Sequence, residues 1–173
     1  MNACVFSSCR RYRYLLDHGW HDVLDTNRGY VAWIGLNPSS ADEHQLDPTV
    51  RRVRSFTDRM GYRRLVMVNL FGWRSPLPEA IQREQDPVGP DNDRWILETC
   101  RNASAVVCCW GAYGIYQNRA QCVLSLLAPL PLDLFCLKAS ASGQPGHPLY
   151  AAGATPLRPF RPGVKPPKVP RCP

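Results

Sequence analysis

Three short polar clusters carry the residue types from which a hydrolytic site can be built. Asn37 stands in Gly35-Leu36-Asn37-Pro38-Ser39-Ser40-Ala41-Asp42, Asn69 closes the apolar run before Leu70-Phe71, and His147 sits between Gly146 and Pro148. The side-chain carbonyl of Asn37 can orient a water molecule, and Pro38 stiffens the loop that carries it. The Asp42 carboxylate can activate that water or offset a developing positive charge. His147 can donate a hydrogen bond to an oxygen on which negative charge builds up. Asn69 offers one donor and one acceptor side by side, the pattern that reads the edge of a base. Ser39, Phe71, Trp73 and Trp110 complete such a pocket, the aromatic rings by stacking. Each cluster also has a plainer reading: an Asx turn at Asn37, a satisfied strand end at Asn69, a helix cap at Asp47 or Asp42, a loop histidine at 147, and core aromatics.

The elements that position these residues follow from the apolar pattern. Continuous apolar runs over 30–36, 64–70, 105–110 and 132–137 read as buried strands, and 12–16 as an earlier one ending in a turn at His18-Gly19. Asp47-Pro48-Thr49 starts a helix on which Val50, Val53, Phe56, Thr57 and Met60 recur at helical spacing, and Gly61 closes it. The proline-rich stretch after Phe71 is mostly loop, with a short helix over 79–83; further helices are expected over 91–102 and 113–127, the last burying Ile115, Ala120, Val123, Leu124 and Leu127. Residues 138–146 read as a flexible Ser/Gly loop. Four apolar strands alternating with helices imply a parallel sheet covered on both faces. Ligands on such sheets bind beyond the carboxyl ends of the strands, so the polar residues that follow each strand should converge on one rim.

Charge and cysteine usage narrow the classes further. The 173 residues are 45% apolar and 20% charged, which excludes wholesale disorder, and no run approaches the roughly 20 apolar residues of a membrane span. With no secretory leader pattern, a cytoplasmic, monomeric protein is the expectation. Of the net +7, the tail from Thr155 carries +5 and, with seven prolines, is expected to be extended or disordered; the domain proper is then 1–154. Six arginines between 51 and 64 face a single Asp58, a cluster that suits a polyanion. Arg51 and Arg52 of that cluster, with Arg74, Lys138 and Tyr150, are the expected contacts to such a polyanion. The eight cysteines contain no Cys-x-x-Cys pair; Cys108, Cys109, Cys122 and Cys136 read as core thiols, and Cys4, Cys9 and Cys100 are the alternative metal set. No metal or cofactor is otherwise expected.

From about residue 12 to 150 these motifs, with Asp47-Pro48-Thr49, Asp86-Pro87-Val88-Gly89 and Asn92-Asp93, resemble a bacterial and phage family of unknown function. Separately, Gly35 to Pro38 is similar to the Gly-Ile-Asn-Pro motif of mismatch-specific uracil-DNA glycosylases, Asn69 to the base-reading asparagine of that superfamily, and His147-Pro148 to its His-Pro motif. The resemblance implies a three-layer αβα sandwich around a central, mainly parallel four-stranded sheet, and a DNA glycosylase that flips a non-standard base and excises it hydrolytically, leaving an abasic site. The phage distribution implies a modified base of invading DNA as target, hence antiviral defence. Two departures stand out. The superfamily's best-known uracil branch has aspartate where this chain has Asn37, which shifts water activation toward Asp42. Leu149 and Tyr150 replace its serine-rich wedge and are expected to fill the space left by the flipped nucleotide. Lys138, the only lysine before the tail, would give lyase chemistry if it formed a Schiff base. The competing readings are hydrolysis or transfer on a free nucleoside or nucleotide, and a non-catalytic DNA-binding module.

Overall fold

The computed structural model describes residues 2–20, 29–42 and 44–162. Its strands are β1 (Ala3–Phe6), β2 (Arg13–Gly19), β3 (Val31–Gly35), β4 (Arg64–Asn69), β5 (Ala105–Cys108), β6 (Leu134–Cys136) and β7 (Arg158–Pro159), and its α-helices are α1 (Pro48–Arg59), α2 (Asn92–Arg101) and α3 (Arg119–Leu127). The strands form one mixed sheet in the order β1-β2-β4-β3-β5-β6-β7. β4, β3, β5 and β6 run parallel, whereas β1 to β2, β2 to β4 and β6 to β7 are antiparallel.

The four expected apolar strands are thus the parallel centre, and the expectation of a four-stranded sheet is corrected at both edges. β1 is short and little buried, so it lacks the apolar density that marks a core strand. β2 runs through His18-Gly19, where the sequence pattern predicts a turn. β7 lies in the tail, which is extended there yet packed: Phe160 is buried and its N–H donates to the Leu134 carbonyl at 2.7 Å. Proline is tolerated in such a strand because an edge needs no second ladder of donors. Residues 163–173, including Cys172, lie outside the described residues.

Alternation along β3 builds two cores. Ala32 and Ile34 pack with α2 and α3 residues Ile96, Cys100, Val123 and Leu127, while Val31 and Trp33 pack with α1 residues Val50, Val53 and Phe56. Each Val, Leu, Ile or Phe side chain among these stabilises the fold by roughly 1.5–3 kcal/mol on full burial. The fully buried Trp33 donates its indole N–H to Thr57 Oγ1 at 2.9 Å, and that hydroxyl donates in turn to the Val53 carbonyl. The helix expected over 113–127 is broken. Residues Ala112–Asn118 form 3₁₀ turns with Gln117 and Asn118 in left-handed conformation, only Arg119–Leu127 is α-helical, and Ile115 faces solvent instead of the core. Among the described residues no helix is long and apolar enough to cross a membrane.

Candidate functional site

A cavity of about 460 Å³ opens at the carboxyl ends of β3, β4 and β5, where an α/β sheet is expected to bind its ligand. The volume lies within the roughly 300–1,000 Å³ typical of small-molecule sites. Asn37, Ser39, Asn69, Trp110, His147 and Tyr150 all line it, so three motifs distant in sequence meet around one space.

Asn69 is the last residue of β4 and is buried, yet neither its Nδ2 nor its Oδ1 has a hydrogen-bond partner. Its backbone is firmly held: Asn92 Nδ2 donates to the Asn69 and Leu70 carbonyls at 3.0 Å each, and Arg119 Nε donates to Leu70 at 2.7 Å. Gly35 on the neighbouring strand makes the room. A Cβ there would stand 2.6 Å from Asn69 Oδ1 and 2.8 Å from Met67 Cε, so no other residue lets the amide occupy this wall.

Asn37 is anchored differently. Its Nδ2 donates to the Ser75 carbonyl at 2.9 Å and to the Pro38 carbonyl at 3.2 Å, which leaves Oδ1 as a free acceptor. His147 precedes a 3₁₀ turn, Pro148–Tyr150, and its Nδ1 accepts from the Leu149 N–H at 3.4 Å. The neutral ring therefore carries its proton on Nε2. Burial pushes the imidazole below its ordinary value, opposed by the charge of Asp47, so His147 is a neutral hydrogen-bond donor at pH 7.

Two further lining residues depart from what their sequence context suggests. Asp47 caps α1 through Oδ1, which accepts from Val50 N–H at 2.8 Å, as its spacing before Pro48 indicates; it also lines the cavity, and its second oxygen has no partner among the described residues. Arg13 has no motif around it that points to a site. It is 1% exposed, one guanidinium nitrogen donates to the Ala41 carbonyl, Nε has no partner, and burial lowers its pKa. A buried guanidinium on a strand near the sheet edge has no local sequence signature; it is identifiable only once β2 is placed beside β4. Tyr113 lines the mouth and donates its hydroxyl to Glu79 at 2.9 Å.

Several expected site residues lie elsewhere. Asp42 is outside the cavity lining, and its Oδ1 accepts from the His44 and Gln45 N–H groups at 2.8 Å each, a local turn that draws the carboxylate below its usual range. Phe71 is fully buried against Tyr116 in the α2–α3 core. Trp73 packs edge-on against Tyr12 in an adjoining groove. Trp110 reaches the cavity wall, but its indole N–H is committed to Gln144 Oε1 at 2.8 Å and its ring to Phe160. Arg51 donates to the Leu46 carbonyl, and Arg52 donates to the Ala151 carbonyl at 2.6 Å while lying on Phe56, so it ties α1 to the His147 turn. Lys138 is exposed and lines none of the cavity. Arg74 lines the adjoining groove, and Tyr150, 85% exposed, stands at the mouth with Leu149. Cys108, Cys109 and Cys136 are buried thiols as expected, whereas Cys122 is exposed; Cys4, Cys9 and Cys100 do not come together, and no group of three metal-ligating side chains occurs among the described residues.

A sequence model of a protein family of unknown function (DUF1643) matches residues 13–149. The match covers most of the chain, and the chain belongs to that family. No curated protein and no solved structure matches it.

Proposed function

We propose that this member of the DUF1643 family is a DNA glycosylase, which takes a flipped, non-standard nucleotide into the cavity and hydrolyses its N-glycosidic bond, leaving an abasic site. The observation that carries the reading is Asn69, a buried amide with donor and acceptor both unpartnered on a cavity wall. Leaving such atoms unpaired costs about 1–3 kcal/mol each, and a heterocycle presenting adjacent acceptor and donor groups relieves the cost of both.

The remaining residues divide the work. Asn37 Oδ1 orients a water molecule toward the sugar. The oxygen of that water bonds to the anomeric carbon as the carbon–nitrogen bond breaks, and the bonding pair leaves on the base. Asp47, and not Asp42, supplies the carboxylate that offsets positive charge on the sugar and receives the proton of the water. His147 Nε2–H donates to the base oxygen on which negative charge develops, which a neutral imidazole does without giving up its proton. Leu149 and Tyr150 at the mouth occupy the place vacated in the DNA. Excision of a phage-modified base, in antiviral defence, is the biological role that the family resemblance implies.

The test is to incubate the protein with ordinary, uracil-containing and phage-modified DNA and to assay released base and abasic sites. Asp47→Asn keeps the helix cap, because asparagine caps as well as aspartate, yet removes the charge. It is expected to slow release by about 10²–10⁴-fold, while Asp42→Asn leaves the rate unchanged. Release from free nucleosides but not from DNA would favour a nucleoside hydrolase instead, and no release from any substrate would overturn both.

A further inference from the structure

Beside the cavity lies a shallow groove lined by Arg10, Arg11, Trp73 and Arg74 together with Ser39, Ser75 and Pro76. The last three line both spaces, so the groove leads directly to the mouth. We propose that this groove is the track for a DNA backbone, its phosphates held by Arg10, Arg11 and Arg74, and that the arginine cluster of α1 is not. The proposal rests on the glycosylase reading for the direction of the strand toward the cavity.

The choice between the two groups turns on which cations are paired and which line the groove. Among the described residues, Arg63, Arg64, Arg94 and Arg119 pair with Asp58, Asp17, Glu98 and Asp93, and Arg52 is spent on a backbone carbonyl. Arg51 donates to the Leu46 carbonyl, Arg54 lies over Trp20 and Arg59 over Phe56, and none of these three lines the groove or the cavity. Arg10, Arg11 and Arg74 form no ion pair with any described carboxylate. They are propped on rings: Arg10 and Arg74 over Phe6 at 4.1 and 4.9 Å, and Arg11 over Trp73 at 5.7 Å. An aromatic face orients a guanidinium without neutralising it, which leaves its N–H groups for phosphate oxygens. Arg74 donates one of these groups to the Arg10 carbonyl at 3.3 Å, which draws the two sides of the groove together, and its buried Nε has no partner. Asp42 and Glu84 act on Arg74 and Arg11 only at a distance. Arg11 also hydrogen-bonds the neighbouring Cys9, whose thiol is lowered to about 7, first by its hydrogen bond with Ser7 and then by those with the backbone and side chain of Arg11. The turn between β1 and β2 presents Arg10 and Arg11 to solvent, and the segment after β4 presents Arg74 opposite them, at the same end of the sheet as the cavity.

Binding of a labelled oligonucleotide of ordinary bases, followed across a salt series by fluorescence anisotropy, tests this without reference to catalysis. Arg10 and Arg11 are exposed, so Arg10→Ala/Arg11→Ala leaves the core intact. The double variant is expected to weaken binding and to flatten the slope of log K against log salt by about 0.7–0.9 for each phosphate that is no longer neutralised. Arg51→Ala/Arg54→Ala is expected to leave the slope unchanged. The reverse pattern, or equal losses from both pairs, would overturn the proposal, as would wild-type protein that binds heparin but not DNA. A flattened slope in a protein that releases no base from any substrate would uphold the track and sink the glycosylase reading alone.

Discussion

The end of β4 separates two buried polar clusters that differ in one respect. On one side Asn92 and Arg119 direct their donors onto the carbonyls of Asn69 and Leu70, and Arg119 also pairs with Asp93. On the other, the side chains of Asn69 and Arg13 are as deeply buried but line a cavity, and both amide atoms of Asn69 are unpartnered, whereas Asn92 lacks a partner only at Oδ1. The same residue type thus serves two ends. Asn92 holds a backbone in place, and Asn69 is the group so held. Buried polar atoms are almost always satisfied in folded proteins, so an amide with both its atoms unpartnered on a cavity wall marks where an external partner completes the structure.

The contrast can be broken most directly at Asn69. Asn69→Ala removes two unpartnered atoms and no intramolecular bond, so its melting temperature is expected to equal or exceed that of the parent. Base release is expected to fall by about 10²–10³-fold, the loss usual when a preorganised hydrogen-bonding group is removed. A fall in stability matching the fall in rate would make Asn69 structural. Asn92→Ala should do the opposite. It takes the amide donor from the Asn69 carbonyl and leaves the Leu70 carbonyl to Arg119 alone, at a cost of about 1–3 kcal/mol, which urea unfolding would register as a lowered midpoint. Its effect on release is secondary, through a β4 end that no longer holds Asn69 in register.

How far the sequence discloses this arrangement depends on whether a residue acts locally or across the sheet. The four parallel strands are legible because burial on both faces leaves continuous apolar runs, and α1 is legible because Asp47, Pro48 and its apolar spacing agree. Asn37, Asn69 and His147 are legible because each follows a strand or stands in a distinctive loop, and topology brings such ends together. Asp42 and Asp47 show where that reasoning ends. Both precede α1, and only the path of the intervening loop decides which carboxylate faces the cavity and which is consumed in a turn. The arginine cluster of α1 shows a related limit: formal charge does not reveal which guanidinium groups pair or pack within the fold. Arg13 lies on a strand near the sheet edge, where composition carries little signal, whereas Arg74 is marked by its place after a strand end.

The smallest effect expected concerns two imidazoles, one in each environment. His147 borders the cavity, whereas His18 lies in β2 stacked on Trp20 and away from it. Burial holds both below their ordinary value of 6.5, helped at His18 by Arg54 and opposed at His147 by Asp47. An unfolded chain then takes up protons that the folded one refuses, so stability is present in full above about 6.5 and declines as pH falls from there toward the folded values. Asp42 and Glu79 are shifted downward from 3.8 and 4.5, so their contribution is lost only in a more acidic range and leaves the first decline to the histidines. Melting temperatures of His18→Phe and His147→Phe, compared with the parent between about pH 7 and pH 5, should each show a shallower decline. An analogue of the excised base that fills the cavity should steepen the His147 component, by burying that ring further, and leave the His18 component as it was. Equal responses of the two would mean that the cavity wall is no more open to a ligand than the packed strand.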